Sequence, residues 1–495
     1  MKINAIILFL CSLFLYACYE DKGDYDYAPI DEVTINFDLT SYGVAIGEEI
    51  EIKPTLEFKN PEDSVNFSYE WLVSGKLYAT TRDLKYTGEE LGSNFTMFTV
   101  INNRTKVRTI KEILIQVSSP YNISGAPGWF ILSDEEGKSV LHMVSSKYID
   151  GAYQYVARRD IYNGGGEELG REPVKLIYHA PYYSYPELLV VQRGGQKSVE
   201  LNINSMTRVI RNDEEFFNGQ PPVDFVPQDA YYGMWADILL GEDGNLYSRP
   251  IAEYEKLHQD PFNNNPMLID PKKESRIKAL GIAPAFANEV VVYDELNNRL
   301  LCIGTDFRYG GDIQEMPTAT YPEEYTPLND MGNKELIYLG VGDPMNFNMI
   351  VKDPSDGKYY FQRFMLQYMA HNNTFMLYAW NAHKELGCAS YFTSRTQIVI
   401  FRDGNYIFFT GGAANNELYR HDTRTNVTVL VKSFEDTSIQ LLRLPNVMAG
   451  ESALGVVFTN GDVVSLNMSS ANINANVYEE LFRHNFGKVV DVVAK

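Results

Sequence analysis

Beyond residue 119 the chain repeats one short pattern to its end: an apolar strand, a tight turn rich in Gly, Asn and Asp, and a second apolar strand. It occurs at Trp129–Leu132 before Asp134–Gly137, at Leu188–Val191 before Arg193–Gly195, and at Ile238–Leu240 before Glu242–Asn245. It recurs at Val290–Tyr293 before Leu296–Asn298, Met349–Val351 before Ser355–Gly357, Tyr406–Phe409 before Gly411–Asn416, and Leu454–Phe458 before Asn460–Asp462. A spacing of roughly 47 to 60 residues suits four strands joined by hairpins, the size of a propeller blade. A helical solenoid is excluded, because apolar residues seldom recur with helical periodicity. A string of separate sandwiches would not be spaced so regularly. Residues 119–495 therefore read as a β-propeller of about seven blades. The closing stretch Gly487–Val493 reads as one more strand, able to complete the first or last blade and remove an exposed sheet edge.

Residues 30–118 carry a different pattern, of short alternating runs separated by turns. Val33–Phe37, Val44–Ile52, Phe67–Val73, Asn94–Asn102 and Lys106–Val117 read as strands of an immunoglobulin-like β-sandwich. Phe67, Tyr69 and Trp71 share one face at period two, so Trp71 is expected to pack in the core. The whole chain is thus expected to be all-β.

The amino terminus reads as an address. Ile6–Tyr16 is an apolar run too short to span a bilayer, and it ends at Leu15-Tyr16-Ala17-Cys18. This resembles a bacterial lipobox, in which Cys18 is diacylated on sulfur, cleaved from residues 1–17, and acylated on its new amino group. Residues 18–29, with Tyr19-Glu20-Asp21-Lys22-Gly23-Asp24-Tyr25-Asp26-Tyr27, form a solvated acidic tether. The tether resembles the export signal that sends lipoproteins of Bacteroidota to the outer face of the outer membrane. Cys11 leaves with the signal, so only Cys302 and Cys388 remain in the folded body. They could pair in an oxidising compartment, but nothing local forces it, and separate buried thiols are expected.

With 65 acidic against 43 basic residues the net charge is −22, which excludes a nucleic-acid surface. No metalloprotease, nucleophile-elbow, phosphate-loop, dinucleotide or EF-hand motif occurs. No CxxC or His/Cys cluster points to zinc. Gly164–Gly166 precedes Glu167 and Glu168, so it reads as a flexible loop and not a phosphate cradle. His371 and His383 read as surface or core histidines. Asp353–Gly357 reads as a hairpin turn in preference to a calcium loop. Carboxylates are too abundant for any two to signal a glycosidase. No catalytic residue, metal or cofactor is expected.

The 34 tyrosines outnumber Phe and Trp together, and several cluster in links. These are Tyr182–Tyr185, Tyr231–Trp235, Phe307–Tyr309, and Tyr321 with Tyr325, expected to share one face with the hairpin turns. Sugar rings or peptide side chains stack on such groups, which makes Tyr183, Tyr185, Tyr231, Tyr232, Trp235 and Tyr309 the candidate ligand residues.

The acidic start, the Tyr69-Glu70-Trp71 strand and the Gly487–Val493 ending together resemble the PKD-like family of Bacteroidota lipoproteins. That resemblance implies a surface accessory to a Sus-type uptake system, a TonB-dependent outer-membrane transporter with its lipoprotein lid. It implies capture of a glycan or peptide without catalysis, and it transfers no binding residue. The competing readings are a propeller hydrolase or lyase and an adhesin or structural surface protein. An enzyme should show a pocket with converging carboxylates or a metal. A binding module should show exposed aromatics beside carboxamides.

Overall fold

The computed structural model describes residues 33–59, 65–119, 121, 128–149, 152–180, 186–252, 258–269, 273–282, 288–306, 308–322, 324–342, 346–379, 383–401, 403–435, 437–445 and 452–494. They are almost entirely strands and turns, in two compact units divided between Pro120 and Tyr121. Cys18 and its tether lie outside the described residues. Among those described, no helix is long and apolar enough to cross a membrane.

The first unit is built on a five-stranded sheet in the order Ser41–Ala45, Arg108–Ser118, Gly92–Asn102, Phe67–Val73, Lys76–Ala79. Its first pair is parallel and the others antiparallel. Two further antiparallel pairs, Val33–Asn36 with Thr55–Phe58 and Glu49–Ile52 with Leu84–Thr87, supply the remaining strands. Trp71 is fully buried, its ring 4.3 Å from Phe98. Its indole N–H donates to the carbonyls of Thr81 and Arg82, at 3.1 and 3.3 Å. The continuous strand expected over Val44–Ile52 is broken. Gly47 turns the chain at φ +78°, so Ser41–Ala45 joins one sheet and Glu49–Ile52 another.

In the second unit every strand–turn–strand repeat lies on an antiparallel pair. Each pair forms the second and third strands of a longer meander. The plainest is Ile277–Ile282, Glu289–Asp294, Arg299–Asp306 and Tyr309–Glu315. The first meander comprises Trp129–Glu135, Lys138–Ile149 and Ala152–Arg158. It is completed by Val489–Ala494, which pairs antiparallel with Trp129–Glu135. Among the described residues, the pair Lys138 and Arg171 joins it to the second meander, giving an eight-stranded sheet. The turns follow the sequence chemistry: at Gly461, φ is +90° and an added Cβ would sit 2.0 Å from the Gly487 carbonyl oxygen.

Second strands such as Ala236–Gly241, Glu289–Asp294 and Ala453–Phe458 are buried at every position. Alternate residues enter opposite apolar layers, as strand geometry requires. Leu188 and Val190 pack with Leu132 of the first meander, whereas Leu189 and Val191 pack with Leu239 of the third. The exchange continues through Ile238 with Val290, Val291 with Met349, Ile350 with Ile407, and Phe408 with Val456. Finally Val457 meets Ile131 and Val492 in the first meander. The unit is propeller-like: meanders face to face, each apolar layer shared by two of them.

Asp491 in the last strand fastens this arrangement. Its carboxylate accepts the Leu176 backbone N–H at 3.1 Å and the Arg443 guanidinium at 2.8 Å. Cys302 and Cys388 are separate buried thiols in different layers. Burial pushes the Cys388 thiol up to about 12.

His142 of the first meander is buried, 2.7 Å from the Ser133 hydroxyl, with its Nδ1 accepting the Asp160 N–H at 3.3 Å. Burial, helped by nearby Arg159, lowers its pKa from 6.5 to about 4. The folded chain therefore holds it neutral, while the unfolded chain takes up the proton first. Its contribution is complete above pH 6.5 and is lost as pH falls towards 4, up to about 2–3 kcal/mol. Urea unfolding of wild type and His142→Gln across this range should show their stability difference shrinking as acid is added. A pH-independent difference would contradict a buried neutral imidazole.

Candidate functional site

A dense polar cluster of described residues lies between the second and third meanders, and strand register builds it. His179 ends the strand Arg171–His179 and pairs with Glu187, which opens Glu187–Gly194. Glu187 stands opposite Asn202, two residues beyond Glu200, so His179, Glu187 and Glu200 share one sheet face. The third meander repeats the row: Tyr232 pairs with Asp237, and Asp237 pairs with Arg249. Glu215, in the link between the two meanders, closes the group.

The contacts are short. Tyr232 stacks on the His179 ring with centroids 3.6 Å apart, and its hydroxyl donates to Glu200 at 2.5 Å. His179 Nε2 lies 3.0 Å from the other Glu200 oxygen. Arg249 donates to Asp237 and to Glu215, both at 2.7 Å. His258 bridges Glu215 at 2.6 Å and Glu187 at 2.7 Å. Burial works to raise the Glu215 pKa, but the Arg249 charge and the His258 hydrogen bond overcome it and hold it at about 2. Burial works against charge on His258, and its hydrogen bonds to Glu187 and Glu215 win, raising it to about 10. Burial lifts Asp237 above the usual carboxylate value despite Arg249. It also lifts the Tyr232 phenol, helped by Glu200. All four carboxylates are buried, Glu200 fully, and each has a hydrogen-bond partner in the cluster.

An open cavity of about 400 Å³ adjoins the cluster. Phe262 lines it, and the Arg249 guanidinium lies over the same ring, 4.4 Å from its centroid. Phe217, 56% exposed, stands at its side with Asn263, Asn264 and Asn265. Asn264 donates to the Phe217 carbonyl at 3.2 Å, while its buried Oδ1 has no hydrogen-bond partner among the described residues. A second cavity of about 490 Å³, lined by Phe401, Asp403, Tyr406 and Ser469, has no comparably exposed aromatic.

Residues 18–173 match the PKD-like family. The matched stretch covers the first unit and runs into the second. No curated protein matches the chain. Among solved structures, a quinonprotein alcohol dehydrogenase-like protein from Bacteroides thetaiotaomicron is 12% identical, with 92% of this chain and 98% of that one covered and a TM-score of 0.34. A protein from Lactobacillus plantarum is 12% identical over 75% of this chain and 99% of its own, with a TM-score of 0.42. Sqt1 from Chaetomium thermophilum is 11% identical over 67% and 76%, with a TM-score of 0.35.

The structure does not gather the candidate ligand residues. Tyr231 is 1% exposed, in the layer with Ile238 and Val290, and Tyr232 is 4% exposed, in the charged cluster. The open aromatic platform expected of them is therefore corrected: adjacent strand residues point to opposite faces, and both faces are covered. Trp235 is half-buried in the link that follows. Tyr309 opens a strand opposite Asp306. Tyr183 and Tyr185 lie outside the described residues. The expected common face is corrected as well. Meander strands reverse direction at each turn, so the first–second link with Trp235 and the third–fourth hairpin with Arg308 lie opposite the Gly/Asn/Asp turns. Tyr321 and Tyr325 stack on each other at 5.5 Å. His383 stacks on Tyr360 at 4.5 Å, and His371 is exposed. In the Asp353 turn the carboxylate accepts the Ser355 N–H at 2.9 Å, as a hairpin requires. Phe217, Phe262 and the Asn263–Asn265 run were not singled out in the sequence.

Proposed function

We propose that the chain is a non-catalytic surface lipoprotein that captures a neutral glycan or peptide in the Phe217–Asn265 cavity. The observation that carries this reading is an exposed aromatic ring beside a run of carboxamides on an open cavity. Rings of that kind stack on sugars and peptide side chains while Asn groups bond their hydroxyls or amides. The neighbouring carboxylates are closed off, which favours capture over hydrolysis. A net charge of −22 works against anionic ligands.

The second unit is proposed as a ring of about seven blades closed by Val489–Ala494, supported by the layer shared between Val457, Ile131 and Val492. The anchor is proposed at Cys18 on the outer face of the outer membrane, supported by the Leu15–Cys18 pattern and the acidic tether. The proposed partners are a TonB-dependent transporter and its lipoprotein lid, supported by the resemblance of the amino-terminal part to PKD-like lipoproteins.

Calorimetry of wild type and Phe217→Ala against panels of neutral glycans and peptides tests the cavity, with product release assayed in parallel. Loss of the ring should weaken binding about three- to tenfold without lowering thermal stability. Turnover of any panel member, or identical binding by Phe217→Ala, would overturn the reading. Recovery of the transporter with the native protein from outer membranes, lost in Cys18→Ala, tests the assembly.

A further inference from the structure

We infer that His179, Glu187 and Glu200 bind a first-row divalent cation, of the Zn²⁺ or Mn²⁺ type, as an interior tie between the second and third meanders. One nitrogen of His179 and one oxygen from each glutamate already lie within 4.8 Å of one another. A cation bonded at ~2.0–2.2 Å to three such atoms needs them about 3.4 Å apart, a closure of up to roughly 1.4 Å.

Partnering is the independent observation. Arg249 is committed to Glu215 and Asp237, and no Lys or Arg among the described residues pairs with Glu187 or Glu200. The two glutamates meet imidazoles instead, His179 at Glu200 and His258 at Glu187. His179 is also incomplete as it stands: its Nδ1 is buried with no hydrogen-bond partner among the described residues.

The surroundings are those of supported ligands. Tyr232 holds one oxygen of Glu200 and stacks on His179, and His258 holds Glu187. One imidazole with two carboxylates is a donor set for borderline and hard divalent ions. Because Glu200 is fully buried, the ion would be structural, and the site stands apart from the ligand reading of the cavity. No short sequence spacing marks it, since register across three strands brings positions 179, 187 and 200 together.

The test uses the full chain without a polyhistidine tag, purified in detergent, stripped with chelator and titrated with ZnCl₂ and MnCl₂ by calorimetry. One ion per chain should bind, and thermal unfolding should move upward with it. Glu200→Gln and Glu187→Gln should weaken binding by more than about 100-fold, and Tyr232→Phe, which keeps the ring stack, by about tenfold. Should the glutamate variants not fold, wild type and Tyr232→Phe decide alone. Failure of both ions to bind wild type, or equal binding by wild type and Tyr232→Phe, would overturn the proposal.

Discussion

Deleting residues 489–495 is expected to unfold the second unit outright. Val489, Val492 and Ala494 are buried in the layer that joins the first and last meanders. Their loss alone removes on the order of 5 kcal/mol of apolar burial, comparable with the whole stability of a typical domain. It also bares the edge of Trp129–Glu135, whose backbone groups pair with this strand, and removes the Asp491 contacts to Leu176 and Arg443. The truncated chain should lose its cooperative urea transition. Adding a synthetic peptide of residues 487–495 should restore it. A truncated chain that melts like wild type would show that the closing strand is dispensable.

The second large effect is expected at Arg249. Its guanidinium is the cation shared by Glu215 and Asp237, all three inaccessible to water. Arg249→Met should cost on the order of 3–5 kcal/mol, because it leaves two buried carboxylates without their partner. Arg249→Lys should recover little, since a single ammonium cannot present the planar fork that reaches both. Combining Arg249→Met with Glu215→Gln and Asp237→Asn should return part of the loss, because the stranded charges go with the cation. Urea denaturation of the set measures this directly. Equal stability of wild type and Arg249→Met would mean that the carboxylates are neutral or hydrated.

The repeats were legible because of two physical demands. A strand covered on both faces must be apolar at nearly every position, and its turn must tolerate positive φ. Leu188–Val191 with Gly195, or Leu454–Phe458 with Gly461, advertise both. Outer strands such as Val427–Ser433 mix exposed and half-buried positions and carry no pattern distinct from a loop. The tyrosine doublet misled because pattern alone does not say that both faces of Pro227–Tyr232 are covered. The charged cluster was missed because an acidic residue before an apolar run looks like a solvated strand end. Yet Glu187, Asp237 and Glu289 stand at that place in three successive meanders, and all three are buried. A charge recurring with the period of the fold was the signal available.

The second strands also have a meaning for the unfolded chain. Leu188–Val191, Val290–Tyr293, Tyr406–Phe409 and Leu454–Phe458 are uncharged, proline-free and rich in β-branched or aromatic residues. Freed from the fold, such segments are the kind that stack with copies of themselves into cross-β aggregates. Each serves two layers, so displacing one meander uncovers apolar surface on both of its neighbours. Partial opening is therefore more hazardous than in a protein with independent modules, and resistance to aggregation depends on the sheets opening together or not at all. The charges that bracket these runs, Glu187 with Arg193 and Glu289 with Asp294, interrupt each segment before it grows long enough to recruit another chain.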